Sequence, residues 1–354
     1  MAGKDRWNIV TRFVALVMSA PEWLIRAVAG PDPIVIDGRV LNRRVQFALA
    51  IGDKFGRYPV KMSDPVKARQ DFRRLAPLGM ASRTGVQVTG RMVPGPEGDI
   101  AVRIYRGTGS ASVPPAIVYM HGGGWVVGDL DTHDASCRLL ADESECVVVA
   151  VDYRLAPEHP FPAAVEDSAC VYRWTIENAD ELTIDAARVA VMGDSAGGNL
   201  AAALTHGAAQ LGIPLPAAQC LVYPALDATF SSPSCESMGH GYWLSLDEMR
   251  WFRSQYLISE QDRTSTLASP GLVSDFAGTP PTLVFAAGFD PLRDEAAAYA
   301  EALAKAGVPV RYRCYDDQIH GYFGMGVFPE AKAIQIEVCR AAGHLAHTGA
   351  VGLP

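Results

Sequence analysis

The run Val147-Val148-Val149-Ala150-Val151 is apolar at every position, so neither face of a strand built from it can meet water. Such a strand belongs inside a parallel sheet that is covered by helices on both sides. Short β-branched or apolar runs recur at 85–93, 100–105, 116–120, 189–192, 219–223, 282–286 and 310–315, which with 147–151 makes eight strands. Between them, 134–142, 163–178, 196–211, 294–306 and 331–347 carry helical spacing, several with a glycine shortly after the end. This alternation predicts a doubly wound α/β fold with a mostly parallel sheet flanked by helices.

Two regions break the alternation. Residues 1–80 read as helical. Their apolar run Phe13–Ala20 follows Lys4, Arg6 and Arg12, the order of a signal peptide. The run is short, however, and apolar residues continue past Pro21 as Trp23, Leu24, Ile25, Ala27 and Val28 with Glu22 and Arg26 between them. An amphipathic helix broken at Pro21 fits better. No stretch reaches the roughly 18 apolar residues of a spanning helix, so no stable membrane insertion is expected. Residues 226–279 are too long for an ordinary strand-to-helix connection and hold a predicted helix at 246–258. The chain therefore divides into an N-terminal helical segment, 1–80, and an α/β domain, 81–354. Residues 226–279 are inserted there to form, with the N-terminal helices, a lid over the carboxyl edge of the sheet.

The net charge of -8 leaves no excess of cations for a phosphate backbone, which argues against a nucleic-acid partner. The seven cysteines form no C-x-x-C pair and their number is odd, so neither a zinc site nor a disulfide framework is suggested. A reducing compartment, the cytoplasm, follows from that usage, with a secreted or envelope-associated location as the alternative.

Gly193-Asp194-Ser195-Ala196-Gly197 matches G-x-S-x-G and lies between the strand run 189–192 and the helix-forming 199–204. On such a turn the serine hydroxyl projects into a cleft, and the flanking glycines relieve crowding around a strained backbone. The bland alternative is a tight glycine turn in an ordinary αβ unit. Two further motifs oppose it. His121-Gly122-Gly123-Gly124-Trp125 follows the buried run 117–120 and is of the HGGG type, whose N–H groups complete an oxyanion hole. The donors assigned here are Gly123 and Gly124 with Ala196. His121 is read as the anchor of this loop and not as a base.

A serine needs a base, and the base needs a carboxylate to fix its tautomer. In this fold the chain order is Ser, Asp or Glu, His. Asp290, just past the run 282–286, and His320, just past 310–315, supply both in order. Asp294 falls near a helix start, where its exposed N–H groups are the expected partners. Asp316 and Asp317 stand too close to His320 in sequence. His133, His159, His206, His240, His344 and His347 follow no late strand.

The HGGGW loop, Asp152-Tyr153-Arg154-Leu155-Ala156-Pro157-Glu158, the GDSAGG turn, the 290–295 loop and His320-Gly321 together resemble the hormone-sensitive lipase family, the bacterial family IV esterases, in its GDSAG branch. The likeness runs from about residue 85 to 345 and implies an α/β-hydrolase fold with a helical cap. It implies a carboxylesterase that cleaves short- to medium-chain esters of small molecules with a Ser195-His320-Asp290 triad and no cofactor or metal. It also implies a homodimer. Asp152, Arg154, Glu158, Glu166 and Asp167 are then structural, a buried ion-pair and turn network. The alternatives are a lipase, amidase or lactonase on the same scaffold, or a ligand receptor of the kind known among plants, which has lost a triad member. Here all three members are present. Trp125 beside the loop, and Met238, Tyr242, Trp243 and Leu244 in the insertion, are candidates to wall the pocket, with Trp125, Trp243 and Leu244 foremost.

Overall fold

The computed structural model describes residues 19–54, 64–74 and 85–352. Most of the apolar run Phe13–Ala20, and the basic residues before it, lie outside them. Eight strands form one sheet: β1 (Gln87–Gly95), β2 (Gly98–Arg106), β3 (Ala116–Met120), β4 (Val147–Val151), β5 (Val189–Asp194), β6 (Gln219–Val222), β7 (Thr282–Phe289) and β8 (Val310–Ile319). Their order across the sheet is β1-β2-β4-β3-β5-β6-β7-β8. The pairs β1·β2 and β2·β4 are antiparallel and the others parallel.

Every residue of β3, β4, β5, β6 and β7 is buried. Each valine in β4 taken from water contributes about 1.5–3 kcal/mol, which is why this run tolerates no polar alternate. Helices cover both faces: α4 (Asp134–Ser144), α5 (Ala163–Glu177), α6 (Ala196–His206), α8 (Arg293–Lys305) and α9 (Pro329–Thr348), where the numbering takes helices of eight or more residues among the described residues. The helix predicted over 196–211 stops at His206, and a separate turn forms at Ala208–Leu211. Gly207 between them has no room for a Cβ, because Leu267 packs against it.

The last strand also differs from its prediction. β8 runs on to Ile319, with a register shift: Tyr315 pairs with Ala287 and Ile319 with Phe289. The two additional residues form a bulge, which re-aims the chain beyond the strand. Asp316 and Asp317 therefore belong to a strand end that holds the N-terminal segment. Asp317 accepts from the Asn42 side chain at 3.1 Å, and Asp316 pairs with Arg39 at 2.7 Å.

Of the N-terminal segment, the described parts are α1 (Glu22–Ala29), a hairpin of Val35–Ile36 with Arg39–Val40, α2 (Arg43–Lys54) and α3 (Pro65–Arg73). Residues 226–279 hold α7 (Leu246–Tyr256), started by a capping box between Ser245 and Glu248, a five-residue helix at Pro233–Ser237 and shorter turns. Among the described residues no helix is long and apolar enough to cross a membrane.

Candidate active site

Buried β5 delivers Ser195 to the start of α6. The serine sits at φ 55, ψ -119, a region that costs a non-glycine residue about 1–3 kcal/mol unless its neighbours fix it. They do: Ser195 N donates to Val222 O at 2.9 Å, and Ser195 O accepts from Asn199 N at 3.0 Å and Ala225 N at 3.2 Å. A Cβ on Gly197 would overlap the Met120 carbonyl. Only glycine lets this turn press against the end of β3. The helix amino terminus then favours negative charge beside the serine.

The bulge at the end of β8 brings His320 to the end of β7, where Asp290 is the next residue after the strand. Asp290 is fully buried. Its Oδ1 accepts from Leu292 N at 2.9 Å and its Oδ2 faces His320 Nδ1 at 2.8 Å. His320 Nε2 lies 2.9 Å from Ser195 Oγ. A carboxylate at Nδ1 assigns the proton to that nitrogen and leaves Nε2 as the acceptor. The Tyr223 ring lies against the imidazole, centroids 4.6 Å apart. Asp294 is not in this row, nor does it cap α8 as its position suggested. Its carboxylate takes Arg293 Nε at 2.7 Å.

The glycine loop leaves β3 with Gly123 at φ 125, Gly124 at φ 57 and Trp125 at φ 60. Gly123 O accepts from Val126 N and Val127 N, which closes the turn. Among the described residues the N–H groups of Gly123, Gly124 and Ala196 have no hydrogen-bond partner in the protein, and all three residues line the cavity that Ser195 and His320 line. His121 is buried, with Nδ1 on Gly122 O at 2.8 Å and its ring stacked on Tyr153 at 4.3 Å. Burial, with His133 beside it, lowers its pKa to about 4, so it stays neutral as a loop anchor. Asp194, which the sequence did not single out, braces the same loop. Its carboxylate accepts from Gly122 N at 2.9 Å, Tyr119 OH at 2.6 Å and Tyr223 OH at 3.4 Å.

The cavity measures about 160 Å³. Trp125, Trp243 and Leu244 line it. Met238 and Tyr242 do not: Met238 is fully buried in the core, and Tyr242 packs on Phe289 at 5.3 Å. Phe72 of α3, Phe230, and Met249, Phe252 and Tyr256 of α7 line it instead. The spacing 249, 252, 256 along a predicted helix was the available signal for the last three. Glu295 is buried and accepts from Leu226 N at 2.5 Å, which fixes the start of residues 226–279. Its carboxyl pKa is raised well above the usual range, chiefly by burial.

Arg154 grips fully buried Asp167 through Nε, at 2.9 and 3.0 Å, as a structural pair. Glu158 instead pairs with Arg69 of α3 at a half-exposed surface, because its side chain turns outward to meet the N-terminal segment. Among the described residues no group of His, Cys, Asp and Glu is placed to hold a metal ion.

A family model described as the α/β hydrolase fold matches residues 117–324. The chain is 40% identical over 307 residues to the carboxylic ester hydrolase LipN of Mycobacterium tuberculosis, covering 85% of this chain and 81% of that one. It is 41% identical over 230 residues to the ethyl acetate hydrolase of Pseudomonas putida, covering 64% and 72%. Among solved structures, an ester hydrolase from the metagenome of Lake Arreo, in complex with a derivative of bipyridine phosphonate, superposes with a TM-score of 0.82 at 37% identity, over 86% of this chain and 98% of that one.

Proposed function

The chain belongs to the α/β-hydrolase family, in its hormone-sensitive lipase or family IV esterase type, and is a carboxylic ester hydrolase; from that premise we propose that Ser195, His320 and Asp290 carry the reaction, with Gly123, Gly124 and Ala196 as the oxyanion donors. One observation carries this assignment: the unbroken row from Ser195 Oγ to His320 Nε2 at 2.9 Å and from His320 Nδ1 to Asp290 Oδ2 at 2.8 Å.

The chemistry is set by where the protons sit. Ser195 Oγ attacks the ester carbonyl carbon as its proton passes to His320 Nε2, and Asp290 steadies the imidazolium. The carbonyl oxygen gains the negative charge. Three backbone N–H groups without partners among the described residues receive it, along with the amino terminus of α6. His320 then gives its proton to the departing alkoxide, leaving an acyl group on Ser195. Water attacks that acyl group, losing a proton to His320. The carboxylic acid leaves and Ser195 recovers its proton.

The substrate is a small ester with a short- to medium-length acyl chain. The cavity is walled by Trp125, Phe230, Trp243, Leu244 and Phe252, and α3 with residues 226–279 forms the cap that closes it. Each methylene that fits adds about 0.8 kcal/mol of burial, and each that does not adds nothing. Specificity constants for p-nitrophenyl esters should climb and then collapse beyond about eight carbons, with no jump at micelle formation. A maximum at palmitate, or activation at an oil–water interface, would mark a lipase instead. A faster aryl amide would mark an amidase.

The free cysteines among the described residues suit a cytoplasmic setting. The outer edge of β8, where Tyr312 is exposed, supplies unpaired backbone for pairing two copies into a homodimer. Sedimentation of the purified chain as a monomer would refute the dimer.

A further inference from the structure

Helix α7 and the glycine loop are keyed together at two points. Phe252 lies over Gly124, where a Cβ would overlap its ring. One turn further along, Tyr256 stacks on the Trp125 indole with centroids 4.5 Å apart and planes 5° from parallel. Trp125 holds φ 60, a conformation that a bulky side chain keeps only where its surroundings impose it. It directly follows Gly123 and Gly124.

The stack is one of ring faces alone. Neither Trp125 Nε1 nor the Tyr256 hydroxyl has a hydrogen-bond partner among the described residues. Tyr256 is itself fixed: Phe161 packs edge-on against it at 5.7 Å, and Phe161 N donates to Tyr256 O at 2.9 Å. From the body of the protein, Ala156 N donates to Trp125 O at 2.9 Å, and from α3 Arg69 Nε donates to Val126 O at 2.8 Å. The loop is thus clamped between a fixed base and the cap helix.

We propose that Phe252 and Tyr256 are positioning residues for the oxyanion hole: they hold Gly124 and Trp125 in the left-handed backbone that presents its donors, so the hole is complete only while α7 is docked. This rests on the assignment of Ser195 and the glycine loop made above. Without the stack, Trp125 relaxes toward negative φ and carries the Gly124 backbone with it. The loss falls on the transition state more than on substrate binding, because the hole bears its full charge only there.

The test compares wild type, Tyr256→Phe, Tyr256→Leu and Phe252→Leu with p-nitrophenyl acetate and with an aryl trifluoromethyl ketone, which adds to the serine as a tetrahedral oxyanion. Tyr256→Phe restores the ring face that Tyr256→Leu removes and lacks only a hydroxyl without a partner among the described residues, so its losses of kcat and of ketone affinity should be several-fold smaller than those of Tyr256→Leu. Tyr256→Leu should lower kcat about tenfold or more and raise the ketone Ki by the same factor, while KM moves less than about threefold. Phe252→Leu carries the same expectation and decides the matter if Tyr256→Leu does not fold. A leucine variant that keeps wild-type kcat, or that loses kcat with an unchanged Ki, overturns the proposal. Failure of the underlying assignment shows separately, as wild type unaffected by the ketone and Ser195→Ala still active.

Discussion

The carboxylate of Asp194 holds the N–H of Gly122 at 2.9 Å, and the same oxygen takes the Tyr119 hydroxyl at 2.6 Å. The residue before Ser195 thereby sets the root of the loop opposite it. Asp194→Ala removes the acceptor of three buried donors, Gly122 N and the hydroxyls of Tyr119 and Tyr223, which costs about 1–3 kcal/mol for each group left unsatisfied. A loop set adrift also loses oxyanion stabilisation, up to about 10²-fold in kcat. Thermal unfolding and kcat measured on one preparation check both, and an unchanged kcat would show that Asp194 does not position the loop.

The choice of carboxylate makes a second prediction. Asp290→Asn keeps the shape but unfixes the tautomer of His320, and kcat should drop about 10²- to 10⁴-fold. Asp294 is occupied by Arg293, so Asp294→Asn should retain most activity. Steady-state rates of the two variants decide it, and the reverse ranking would refute the Asp290 assignment.

Stability against pH gives a third. Glu295 has a raised carboxyl pKa, so the folded state keeps a proton that the unfolded chain releases. Stability is then full below the ordinary carboxyl range and falls as pH rises toward the raised value. Glu295→Gln retains the acceptor for Leu226 N without that loss. Its Tm relative to wild type should be higher at about pH 8 than at about pH 5; a constant difference would refute this. His121 and His206 act in the opposite sense. Burial lowers both to about 4, so the stability they contribute is full above the ordinary histidine range and is lost as pH falls toward 4.

A fourth concerns backbone space. Gly197→Ala sets a methyl against the Met120 carbonyl, and no flexible side chain can yield there. The turn must shift as a unit, costing about 1–3 kcal/mol of stability and displacing Ser195. Melting temperature and kcat should both fall. Gly212→Ala, in open space at φ 62, should cost stability alone. Equal losses of kcat in the two variants would contradict this.

The sheet was legible because parallel strands buried on both faces, such as 147–151, leave an unbroken apolar signature, and because the turn at Ser195 needs glycines at set places. Residues 226–279 were less so. Met238 and Trp243 look alike as apolar residues of that stretch, yet one joins the core beneath and the other lines the cavity; which way each turns depends on tertiary packing. Asp194 was invisible for a related reason, since its partners Tyr119 in β3, Gly122 in the loop after it and Tyr223 just past β6 meet only in the folded sheet. The bulge in β8 had no local signal either, although it is what brings His320 to Asp290.

The central claim is that Ser195 becomes acylated with His320 as its base. Treating wild type, Ser195→Ala and His320→Ala with an aryl phosphonate, followed by intact mass and peptide mapping, tests it directly. One adduct per chain on Ser195, forming in step with loss of esterase activity, absent from Ser195→Ala and much slowed in His320→Ala, is the predicted result. An adduct on another residue, or roughly a tenth or more of wild-type turnover remaining in Ser195→Ala, would contradict it.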